Sequence, residues 1–83
     1  MITSQDIIEL IAGSAIEADT ASLRDDLDLY GQGWDSLDVA NLELRIEQRY
    51  GIEFGPDQAL KLRTIRDYVD FLNTGPSSAN GGH

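Results

Sequence analysis

Between Asp35 and Gly51 the chain carries an apolar pattern that suits a helix and does not suit a strand. Val39, Leu42, Ile46 and Tyr50 recur at helical intervals, so at about 100° per residue they fall on one narrow stripe. No alternating stretch in the chain is long enough to argue for a strand instead. Both ends of the segment are punctuated. Asp35 is an N-cap residue, Asp38 follows it at capping-box spacing, and Gly51 is a helix stop. The sequence predicts a helix over 36–50 whose core face is that stripe. Leu37, Ala40 and Leu44 form a second apolar stripe, turned well away from the first and bordered by Asn41, Arg45 and Gln48. It either packs against the first loop or the short helix beyond, or serves as a docking patch rimmed by Asp35, Asp38 and Glu47. The docking reading is preferred, because any partner acting on Ser36 must pass Leu37.

The remaining pattern places shorter elements around this helix. Thr3 and Asp6 have capping-box spacing, and Ile2 and Ile7 sit where a hydrophobic staple would. Ile7, Ile8, Leu10, Ile11 and Ala15 then give an apolar face to a helix from Ser4 to Ile16, weakened by Gly13. Residues 17–33 read as a long loop anchored by Leu23, Leu27 and Leu29. Ile52–Phe54 is an extended link. Pro56 suits the first position of a short helix whose inward side is Ala59, Leu60 and Leu62. Thr64 and Asp67 repeat the capping-box spacing before a last helix with Ile65, Tyr68, Val69 and Leu72 inward and Phe71 beside them. The fold expected is all-α: a small four-helix bundle with a long first loop and a short third helix, over residues 1–73. Residues 74–83 are Gly, Ser, Asn and Pro rich and are expected to be disordered.

Chemistry is narrowed by what the composition lacks. There is no cysteine, so disulfides, thiolate metal sites and thiol nucleophiles are excluded. Fifteen acidic residues face six basic ones, a net charge of −9, which repels nucleic acid and anionic membranes and attracts a partner with a basic patch. The N-terminus has neither a basic segment nor a long apolar run, which predicts no signal peptide and no membrane span, and the cytoplasm is the expected compartment.

Ser36 is the residue best placed for chemistry. It lies where a Gly-broken loop meets the helix, at an end carrying free N–H groups and the positive pole of the macrodipole. That setting welcomes a phosphate. Flanking Asp35 and Asp38 make it a poor setting for a nucleophile and a suitable one for modification by another protein. A catalytic triad fails, because the sole histidine is His83, and a Ser–Lys dyad has only Lys61 available. A calcium loop on Asp26 and Asp28 fails too, since Tyr30 and Leu37 stand where oxygen ligands belong. Trp34 is expected to anchor the loop in the core.

Asp35-Ser36-Leu37 at a helix start, in a short acidic chain of this helical layout, resembles the attachment motif of acyl carrier proteins. The resemblance extends from about Ile2 to Leu72. It implies that the protein performs no catalysis itself, and that Ser36 carries 4′-phosphopantetheine, transferred from coenzyme A by a phosphopantetheinyl transferase. It implies further that Asp35, Leu37, Asp38, Ala40, Asn41, Leu44 and Glu47 face that transferase and partners of acyl-activating, acyltransferase or ketosynthase type, with the carrier a monomer. Acyl intermediates of fatty-acid or polyketide-type biosynthesis would then be held as thioesters. An aminoacyl or peptidyl carrier and an unmodified helical interaction domain are the alternatives. Two departures stand out. Trp34 replaces a small or aliphatic residue. Glu43 falls where the family has an apolar core residue, and is expected to reach solvent or pair with a base.

Overall fold

The computed structural model describes residues 1–14, 16 and 19–74. Four α-helices are present among them: α1 (Ser4–Ala12), α2 (Ser36–Tyr50), α3 (Pro56–Ala59) and α4 (Ile65–Thr74). Two 3₁₀ turns, Thr20–Ser22 and Tyr30–Gln32, interrupt the long first loop, and no strand occurs among the described residues. The expected all-α bundle is the architecture found.

The caps account for the helix starts. Thr3 and Asp6 close a full capping box on α1: the Thr3 hydroxyl accepts from Asp6 N and the Asp6 carboxylate accepts from Thr3 N. Thr64 and Asp67 do the same for α4. The α3 start is held from one side only, with Gln58 Oε1 accepting from Gly55 N. At the other end of α2, Gly51 adopts φ 69°, a left-handed stop that a side chain would strain.

α1 ends at Ala12, a turn earlier than the sequence pattern predicts. Ser14 is the reason. Its hydroxyl donates to Ile11 O at 2.7 Å and accepts from Ile16 N at 3.1 Å, offering the backbone a turn in place of helix. Ile16 still reaches the core from outside the helix. Ala15, expected on the apolar face, lies outside the described residues, as does the tail 75–83. Thr74, assigned to that tail by composition, is the last helical residue of α4.

The core gathers one stripe from each long helix. Ile7 and Ile11 of α1, Val39, Leu42 and Ile46 of α2, and Ile65, Tyr68 and Val69 of α4 are all buried. Burying one side chain such as Ile46 contributes about 1.5–3 kcal/mol. Phe54 packs edge-on against Tyr68, 5.7 Å between ring centroids, which seats the link between α2 and α3. The two ends of the domain are tied by Asn73, whose side chain accepts from Ile2 N and donates to Ile2 O.

The loop is fastened more tightly than its composition suggests. Leu29 is fully buried and its N–H donates to Arg63 O at 2.8 Å. Gln32 braces the loop from within: its side chain accepts from Arg24 N and donates to the carbonyls of Arg24 and Leu27. Asp25 links three segments, accepting from the Ser4 hydroxyl and pairing with Arg66 while its carbonyl accepts from Arg66 N. Two leucines depart from expectation. Leu27 is 44% exposed, because Leu29 takes the core position. Leu60 is 77% exposed: it keeps helical geometry, its N–H donating to Pro56 O, but its side chain lies on the outward side of the short α3 turn.

Candidate functional site

The loop delivers residues 34–36 to α2 in alternating directions. Gly33 sits at φ 95°, a left-handed conformation that reverses the chain after the 3₁₀ turn. Trp34 then turns inward, 7% exposed within the core, which anchors the loop as expected. Asp35 is the N-cap of α2. Its carboxylate accepts from Asp38 N at 2.9 Å, and the Asp38 carboxylate accepts from Asp35 N at 3.1 Å.

Ser36 is thereby relieved of any capping duty. It occupies the first helical position, its side chain is exposed, and its hydroxyl makes no hydrogen bond among the described residues. The backbone N–H groups of Ser36 and Leu37 likewise have no partner among the described residues, as helix geometry dictates for a first turn. An exposed hydroxyl beside two unpaired donors at the positive end of a 15-residue helix suits a phosphate ester.

The second stripe of α2 stays uncovered. Leu37 is 67% and Leu44 51% exposed, with Ala40 and Asn41 exposed between them. Neither the first loop nor α3 packs over it. Of the three carboxylates expected on its rim, none is idle. Asp35 and Asp38 make the capping box, and Glu47 is half-buried with one oxygen accepting from Phe54 N at 2.9 Å.

On the other flank of Ser36 lies a cleft of about 180 Å³ between α2 and α3. Ser36, Val39, Ala40, Glu43, Leu62 and Arg63 are among the residues that line it. A larger, polar depression near Arg24 and Trp34 does not include Ser36. Glu43 corrects an expectation. It neither reaches freely into solvent nor pairs with a base, but accepts a hydrogen bond of 2.7 Å from the Tyr68 hydroxyl. Burial, and then this bond, push the Tyr68 phenol far above its ordinary range, so it stays a neutral donor. Of the residues bordering the cleft, Tyr30 entered the sequence reading only as a misfit to a calcium loop, and Arg63 was not singled out. They meet there through the fold: Arg63 Nε lies 2.7 Å from Asp28 Oδ2 and its guanidinium stands 5.1 Å above the Tyr30 ring. Arg63 holds the Asp28 carboxyl below its ordinary value, and Arg24 does the same for Asp26. Both loop carboxylates are thus committed to arginines, and no group of three or more potential metal ligands occurs among the described residues.

One family model, described as phosphopantetheine attachment site, matches residues 5–72, from the first turn of α1 to the end of the buried stripe of α4. The chain belongs to this family. Attachment-site domains carry covalently bound 4′-phosphopantetheine, act by meeting partner enzymes, and are not catalysts themselves. Among the described residues of this attachment-site domain, no helix is long and apolar enough to cross a membrane.

Proposed function

We propose that this chain is an acyl carrier protein in which Ser36 bears the 4′-phosphopantetheine. The observation that carries the reading is the state of Ser36: exposed, unbonded, and freed from capping by Asp35 and Asp38. In the transfer, the Ser36 oxygen forms the new bond to phosphorus as the pyrophosphate linkage of coenzyme A breaks and adenosine 3′,5′-bisphosphate leaves. The Asp35 and Asp38 carboxylates each commit one oxygen to the other's backbone, and removal of the hydroxyl proton is assigned to the transferase. Once attached, the group supplies the terminal thiol that a cysteine-free chain lacks, and acyl groups are held there as thioesters. The chain itself performs no catalysis.

Leu37, Ala40, Asn41 and Leu44 form the surface offered to the transferase and to acyl-activating, acyltransferase or ketosynthase-type enzymes. The net charge of −9 draws in their basic patches, and Leu37 and Leu44 make the short-range contact. The carrier unit is residues 1–74, to the end of α4, a cytoplasmic monomer serving fatty-acid or polyketide-type biosynthesis.

The test is intact mass after incubation with coenzyme A, magnesium and a broad-specificity phosphopantetheinyl transferase. A gain of one phosphopantetheine, absent in Ser36→Ala, is expected. A folded protein that gains nothing is instead an interaction domain that keeps the family's shape.

A further inference from the structure

Glu43 breaks the pattern of its own helix. It follows Leu42 at the edge of the α2 core face and is half-buried, yet it carries a carboxylate. One oxygen is fixed by the Tyr68 hydroxyl at 2.7 Å, and the other has no hydrogen-bond partner among the described residues. Among the described residues no cation pairs with it. The ion pairs among these residues join Arg24 to Asp26, Arg63 to Asp28 and Arg66 to Asp25. Arg63 borders the same cleft but is spent on Asp28 and Tyr30. A preset acceptor therefore stands in the wall of a small cleft that also contains Ser36.

We propose that Glu43 selects the carried group: the cleft beside Ser36 receives cargo that presents a hydrogen-bond donor, a hydroxyl or an amine, and turns away an all-carbon chain. This rests on the reading that Ser36 bears the carrier group. A purely alkyl chain entering the cleft strips water from the Glu43 carboxylate and returns nothing. A donor replaces that water, while Val39, Ala40 and Leu62 contact the carbon part of the same cargo. Tyr68, buried and anchored on α4, holds the carboxylate in one orientation, so no rotamer freedom is lost when the donor arrives. The cargo is thus short, carbon-based and capped or substituted by a donor.

The full chain, labelled with ¹⁵N, is loaded at Ser36 from coenzyme A thioesters of hexanoate, its ω-hydroxy analogue and its ω-amino analogue. Intact mass reports loading, and amide chemical shifts of Ala40, Glu43 and Leu62, measured against the unacylated carrier, report entry into the cleft. The two donor cargoes are expected to occupy the cleft about fivefold more than hexanoyl, the ratio set by one net hydrogen bond. Glu43→Leu is expected to reverse the order. Glu43→Gln, which keeps the side-chain length and an oxygen acceptor, is expected to keep the hydroxyl response and lose the amine response. It carries the test alone if Glu43→Leu does not fold. Equal or greater shifts from hexanoyl in the unmodified chain overturn the proposal. So does donor preference that persists in Glu43→Leu, or an amine response that survives in Glu43→Gln. No mass gain overturns the Ser36 reading and this one with it. A mass gain without donor preference overturns this one alone.

Discussion

At Asp35 the carboxylate holds the start of α2, and at Ser36 the hydroxyl holds nothing. The two neighbours therefore separate structure from chemistry cleanly. Asp35→Ala removes the side-chain half of the cap and is expected to lower stability by about 1 kcal/mol. Ser36→Ala removes an unbonded exposed hydroxyl and is expected to stay within about 0.5 kcal/mol of the parent. Urea midpoints of the two variants distinguish the roles, and mass analysis shows loss of the attached group in Ser36→Ala. Equal destabilisation by both would make the serine a structural residue. Asp28 offers a second test. The hydrogen bond from Arg63 leads in depressing its carboxyl, and Arg24 depresses Asp26 in the same way. A group depressed in the folded state stabilises it above the unfolded value near pH 3.9, and that contribution is lost as pH falls through the folded value. Asp28→Asn should therefore flatten the fall in stability below about pH 4, measured by chemical denaturation across that range.

α2 has two faces with different consequences. Ile46→Ala opens a cavity in a fully buried position and is expected to cost about 2–5 kcal/mol, a large part of what so small a domain holds. Leu37→Ala and Leu44→Ala trim side chains that are 67% and 51% exposed, so unfolding should be nearly unchanged while transfer of the carrier group slows severalfold. Transfer kinetics beside thermal unfolding decide it, and unchanged rates in both variants remove the docking face. Asp38→Lys is a poorer probe, because Asp38 N and the Asp38 carboxylate are both in the capping box. The stripes, the caps of α1, α2 and α4 and the placement of Ser36 were legible because each is local, written within one or two helical turns. What was not legible is long-range. Glu43 finds Tyr68 across 25 positions and Arg63 finds Asp28 across 35, and no spacing rule reaches that far. Leu60 misled because a helix of one turn carries too few apolar positions to define which of its sides faces the core.

Charge acts over the whole molecule, and it acts in two directions at once. Fifteen carboxylates against six cations leave a surplus that repels itself within the fold and attracts a basic partner outside it. The ion pairs found among the described residues lie at the surface, where water weakens them, so they do not cancel the surplus. Raising ionic strength from about 0.1 M to 1 M shortens the screening length from about 10 Å to about 3 Å. Self-repulsion is then screened, and the melting temperature should rise. Attraction to the transferase is screened by the same salt, and the second-order rate of Ser36 modification should fall. These opposite signs are the useful part. Salt that merely unfolded the carrier would lower both quantities, and a carrier recognised by apolar contact alone would keep its rate. Thermal unfolding and transfer kinetics on one salt series therefore read out whether the acidity of this chain serves its partners or only its solubility.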